Sequence, residues 1–140
     1  MDAQVNFLAV VLAGIVSMVV GFLWYSPVLF AKPWMKLMGY STKSMKESQQ
    51  EMGKLYLLSF VATLLTAFVL SHVMALSDNY YQYPRLMTGI TTAFWMWIGF
   101  IAPTQMTEVI FGKKSWSLFA INTGYQLASV MAMSVILALL

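Results

Sequence analysis

Five polar side chains fall close together in an otherwise apolar part of this chain: Gln105, Glu108, Asn122, Tyr125 and Gln126. Amides and a phenol act by hydrogen bonding, and a carboxylate carries a proton or pairs with a cation. Such a set suits a small polar solute or a lipid headgroup better than bond-breaking chemistry. Gln105 and Glu108 close one apolar run, whereas Asn122 and Gln126 lie in the first half of the next. Gln105 and Asn122 are therefore expected at similar depth and paired with each other, a bond contributing about 0.6–2 kcal/mol inside a membrane. The same residues serve either as glue between the third and fourth helices or as an inner-side polar site between them.

The remaining reactive groups point to ordinary structural roles. Glu108 lies near Lys113 and Lys114 and reads as an interfacial carboxylate paired with lysine. His72 is the single histidine, with Asn6 as its expected partner. Without nearby carboxylates it makes a poor metal site or catalytic dyad. The absence of cysteine excludes thiol catalysis, disulfides and Cys-based zinc sites. Twelve methionines raise the question of copper, since thioethers suit Cu(I). No Met-x-x-x-Met pair lies on a long apolar run, and Met131 and Met133 point to different sides of a helix, so adaptable packing is the reading. There is no nucleophile–base–acid set, phosphate loop or HExxH motif, and the chain reads as a non-enzyme without metal or cofactor.

The elements that position these residues follow from charge. Four stretches carry no Asp, Glu, Lys or Arg: 3–31, 55–77, 86–107 and 115–140. Some 20 apolar residues rising ~1.5 Å apiece cross a ~30 Å hydrocarbon core. Sixty per cent apolar residues against 9% charged ones lies far outside the soluble range, so lipid is the expected partner. The expectation is one all-α membrane domain over 1–140, with helices at about 4–27, 55–77, 86–108 and 115–139 in an antiparallel bundle. The first run is too long, and Asp2 too acidic, for a cleaved signal peptide, so it reads as a retained anchor.

Basic residues set the orientation. Lys32, Lys36, Lys43, Lys46 and Lys54 lie in the first break, Lys113 and Lys114 in the third, and Arg85 alone in the second. Short loops rich in Lys and Arg stay cytoplasmic, so both termini are expected outside, helped by the small tail of Met1 and Asp2. The net charge of +3 is a matter of topology and not a nucleic-acid footprint. Trp24, Tyr25, Trp34, Tyr56 and Trp116 mark the inner interface; Tyr80, Tyr81 and Tyr83 mark the outer one. In the cytoplasmic loop at about 32–54, Ser44-Met45-Lys46-Glu47 fits a capping box and starts a short amphipathic helix that Gly53 ends. Met35, Leu37 and Met38, beside Pro33 and Trp34, are placed in the headgroup plane, with Lys32 and Lys36 snorkelling towards lipid phosphates.

Small residues recur every four positions on two of the helices, at Ser59, Thr63, Ala67, Ser71 and Ala75, and at Ala120, Gly124, Ala128 and Ala132. Ser17 and Gly21 add a shorter version. Small side chains let helix backbones approach, and in lipid that packing drives association. Tight contacts are expected along these stripes, either within the chain or between subunits. Pro27 and Pro103 each deny a helical bond to the carbonyl four residues back, predicting a helix end or a mild kink. Gly21-Phe22 before Pro27 and Gly99-Phe100 before Pro103 echo each other, but the gaps differ, and the echo reads as coincidence.

The chain resembles the small bacterial membrane proteins of domain-of-unknown-function family 1761. The resemblance spans nearly its whole length. It rests on Asn6, Gly21-Phe22-Leu23-Trp24-Tyr25-Ser26-Pro27, Phe30, Trp34, Tyr56, Ser59-Phe60, Gly89, Trp97, Gly99-Phe100, Pro103 and Asn122-Thr123-Gly124-Tyr125. It implies a multi-pass protein of the inner (plasma) membrane with four helices, and it supplies no catalytic residue, cofactor or partner. The leading expectation is a bundle that acts by association, as a homo-oligomer or a subunit of a larger membrane complex. The rival is a carrier or binding protein for a small solute or lipid.

Overall fold

The structure, a computed structural model, describes residues 4–140 and is helical throughout its length apart from short connections. Met1 and Asp2, on which part of the expected orientation rests, lie outside the described residues. Among the described residues seven α-helices follow in order: α1 Phe7–Trp24, α2 Ala31–Met38, α3 Thr42–Glu47, α4 Gln49–Tyr81, α5 Arg85–Met96, α6 Ala102–Gly112 and α7 Trp116–Leu139. A π-helical segment, Trp97–Ile101, joins α5 to α6 without a break. Four continuous helices, Phe7–Trp24, Gln49–Tyr81, Arg85–Gly112 and Trp116–Leu139, are long and apolar enough to cross a membrane.

Local chemistry explains the boundaries. Asn6 caps α1, its side chain accepting from the Ala9 amide at 3.2 Å. That is where its hydrogen-bonding capacity goes, together with a 3.2 Å bond from Nδ2 to the Leu140 carbonyl. His72 is not its partner: Nδ1 lies 3.0 Å from the Phe68 carbonyl one turn back, and its ring packs on that of Phe68. The capping box forms one turn earlier than Ser44–Glu47. Ser41 is the N-cap, and Ser44 at the third position reciprocates. Ser44 wins because its short hydroxyl reaches the Ser41 amide at 2.9 Å. Gly53 does not stop the chain either; it lies inside the 33-residue α4. A single glycine costs a helix only about 1 kcal/mol, less than the neighbouring turns supply. The expected loop helix is the short α3, and the stretch with Pro33 and Trp34 forms a separate helix, α2, which Gly39 in the left-handed region ends.

The two prolines act differently. After Trp24 the chain leaves α1, and the Leu23 carbonyl freed by Pro27 is taken by the Ser26 hydroxyl at 2.7 Å. At Pro103 the helix continues. The backbone widens into the Trp97–Ile101 π turn immediately before the proline, which re-routes the bonds that its ring cannot make.

The core centres on α7, which packs most extensively against α1 and α5 and lightly against α4. Asn6 and Trp24, at the two ends of α1, meet Leu140 and Ile121 at the two ends of α7, so these helices run in opposite directions. Arg85 bonds the Leu137 carbonyl at 3.1 Å and Trp97 the Thr123 carbonyl at 2.9 Å, giving α5 the same relation to α7. Close approach needs small residues. The hydroxyls of buried Ser17 and Ser129 bond to each other across α1 and α7. Gly89 of α5 lies so near α7 that an added Cβ would stand 3.0 Å from the Ser134 carbonyl oxygen.

The two small-residue stripes therefore lie in different surroundings along their lengths. Ala67 is fully buried, whereas Ser59 is exposed and Thr63, Ser71 and Ala75 are half-buried. On α7, Gly124 accommodates the Trp24 ring, with a would-be Cβ 3.1 Å from it. Ala128 and Ala132 are half-buried, and Ala120 is exposed. The most buried small positions on α7 are Ser129 and Ser134, off the stripe.

Candidate functional site

Two openings flank α4, which packs on α1 through pairs such as Phe22 and Tyr56. One opening is a groove of about 520 Å³ between α4, the π segment with α6, and α7. Gln105, Glu108 and Gln126 line it, among apolar neighbours such as Leu65, Phe100 and Val130. The other is a cleft of about 510 Å³ between α1, the α2–α3 segment and α4, with Tyr125 of α7 at its back. Asn122 belongs to neither. It borders a small pocket of about 40 Å³ that also touches Gln105, Glu108 and Lys114.

The five polar residues are thus distributed around α7 and do not share one site. Gln105 and Asn122 border the same small pocket but bond elsewhere. The Thr123 hydroxyl donates to Gln105 Oε1 at 2.7 Å, and the Tyr25 hydroxyl donates to Asn122 Oδ1 at 2.7 Å. The helical turn decides this. Adjacent residues on α7 point about 100° apart, so Asn122 faces the end of α1 while Thr123 faces α6. Tyr25 lies one residue past α1. Burial, and then the proximity of Tyr125, push its phenol up to about 12, so it stays a neutral donor.

Glu108 and Lys114 approach to 3.9 Å with both side chains more exposed than buried. An exposed pair of that length stabilises the fold by ~0–1 kcal/mol. It leaves the carboxylate free to meet water or ligand at the mouth of the groove. Among the described residues no three His, Asp or Glu side chains cluster closely enough to hold a metal ion.

Sequence reasoning passed over several residues that organise this end of the molecule. Trp24, expected only as an interfacial anchor, donates its indole to the Ile121 carbonyl at 3.0 Å. Trp34 packs at 5.5 Å from both Tyr25 and Tyr40, and Tyr25 at 5.3 Å from Tyr125. The available signal was the density of aromatic and methionine residues between positions 18 and 56, which interfacial anchoring alone explains equally well. Thr123 entered the sequence reading only within the Asn122-Thr123-Gly124-Tyr125 stretch, with no role of its own.

A family model described as a protein of unknown function (DUF1761) matches residues 8–138, nearly the whole chain. No curated protein and no solved structure matches it.

Proposed function

The chain belongs to that family, and on that premise we propose a non-enzymatic, multi-pass protein of the inner (plasma) membrane that binds a small solute or lipid. The four long helices form an antiparallel bundle with both termini outside, because seven of the eight basic residues lie in the two breaks assigned to the cytoplasm. The single observation behind the binding reading is the groove beside α4. Two amides and a carboxylate, Gln105, Gln126 and Glu108, border one lateral opening of about 520 Å³. Polar groups inside a membrane are costly unless they serve a partner or a ligand, and a largely apolar opening with a few polar groups is the usual form of a ligand site.

The test is a thermal-shift screen of the purified protein against small polar solutes and single-chain lipids. At least one class should raise the melting temperature. Gln105→Leu combined with Gln126→Leu should remove that shift while the transition stays cooperative. No stabilising ligand, or a shift that survives both substitutions, overturns the reading. Association remains a second reading, supported by Ser59 and Ala120. Both are stripe residues left exposed and suited to close contact with another helix. A protein that stays monomeric in mild detergent and crosslinks to nothing in cells would end it.

A further inference from the structure

The cleft on the other side of α4 is lined by different residues from the groove at Gln105, and its chemistry differs too. Its walls are rings. Tyr25, Trp34 and Tyr40 form a contiguous chain, Tyr125 closes the back, and Tyr56 packs edge-on to Phe22 at 5.2 Å. Among the described residues no carboxylate lines it. The Tyr25 hydroxyl already donates to Asn122, while the other phenol hydroxyls and the Trp34 indole N–H can donate hydrogen bonds to a ligand. Its volume, about 510 Å³, falls in the ~300–1,000 Å³ range of small-molecule sites.

This cleft lies under a net basic segment. Its roof is built from the α2–α3 segment and the start of α4, with Met45, Ser48 and Met52 facing the opening. That stretch, residues 32–54, carries five lysines against Glu47 and Glu51, and all five lysines are exposed. An aromatic box can receive an alkylammonium group, but the segment above this cleft is net basic and none of the lining residues is a carboxylate, which disfavours a cation. The same net positive charge attracts an anion, and the aromatic side chains and methionines beneath it suit a hydrocarbon chain.

We propose that this cleft is a binding site for one anionic phospholipid of the inner leaflet. Its phosphate lies under the lysines of the α2–α3 segment, and an acyl chain lies along Tyr25, Trp34, Tyr56 and Met52. The lipid holds the α2–α3 segment against α1 and α4. The site is independent of the groove at Gln105, so Gln105→Leu with Gln126→Leu leaves it intact.

In the test, the full chain in an uncharged detergent is titrated with dioleoyl phosphatidylglycerol, dioleoyl phosphatidylcholine and inorganic phosphate, and native mass spectrometry counts the bound molecules. One phosphatidylglycerol is expected to stay bound, on the order of tenfold tighter than phosphatidylcholine. Met52→Glu, which places a carboxylate in the cleft, should release it. Lys43→Gln with Lys46→Gln, both at exposed positions, should remove most of the preference and decides the matter if Met52→Glu fails to fold. Equal retention of the two lipids, tighter binding of phosphatidylcholine, displacement by equimolar inorganic phosphate, or an unchanged preference in the lysine variant overturns the proposal.

Discussion

Replacing Gly89 by alanine tests how closely α5 and α7 approach. The new Cβ would stand 3.0 Å from the Ser134 carbonyl oxygen, 3.1 Å from the Met74 methyl and 3.5 Å from the Ala138 Cβ. Close carbon–oxygen contacts settle at about 3.3–3.6 Å, so α5 and α7 must separate by a few tenths of an ångström. Met74 can swing aside at little cost. The Ser134 carbonyl cannot, because α7 is held on its other side through Ser129 and Ser17. Overpacking of this kind costs about 1–3 kcal/mol, against a gain of about 1 kcal/mol from helix propensity. The net expectation is a loss of roughly 0–2 kcal/mol. Gly53 supplies the control. It is also inside a helix, but nothing lies within 4 Å of its would-be Cβ, so Gly53→Ala should gain roughly 0.5–1 kcal/mol. Propensity is common to the two variants, and their difference, about 1–3 kcal/mol, isolates the packing term. Reversible unfolding in mild detergent titrated with dodecyl sulfate, followed by circular dichroism, measures it. Equal stabilisation by both alanines would refute the close approach of α5 to α7.

Three further outcomes follow from named contacts. Ser17→Ala and Ser129→Ala, combined in a double-mutant cycle, should show a coupling of about 0.6–2 kcal/mol; strict additivity would mean that the hydroxyls do not bond. Asn122→Leu should loosen the fold by on the order of 1 kcal/mol, and Tyr25→Phe should add little once Asn122 is gone; independent, additive losses would dissociate the two residues. The Thr88 hydroxyl is buried without a partner among the described residues, so Thr88→Val should stabilise by about 1 kcal/mol, the lower end of what an unmade buried hydrogen bond costs. A loss of stability in the same unfolding assay would show that this hydroxyl is bonded.

The long helices were legible because their signal is collective: many residues without charge outweigh any single misplaced polar group. The pairing of the polar residues was not, because it turns on helical phase. Asn122 and Thr123 differ by one position, and that step sends one towards Tyr25 and the other towards Gln105. Sequence placed Gln105 and Asn122 at similar depth but could not say which way each faced. Pro103 is similar. Its missing donor was plain, yet the choice of a π turn over a break depends on how α5 and α6 both pack around α7. The capping box slipped because a second serine stands three residues before Ser44, and Ser41 and Ser44 satisfy each other's amides at 3.1 and 2.9 Å. The aromatic cleft was hidden for another reason: tyrosines and tryptophans at an interface look the same whether they anchor the chain or enclose a space.

The central claim is that the long apolar helices lie in lipid with the lysine-rich breaks on the cytoplasmic side. The chain contains no cysteine, so single substitutions report cleanly. Lys43→Cys and Tyr81→Cys, expressed separately in cells and treated with a membrane-impermeant maleimide, measure it directly. Tyr81→Cys should react in intact spheroplasts, and Lys43→Cys only after the membrane is opened. Labelling of both from the same side would contradict the account.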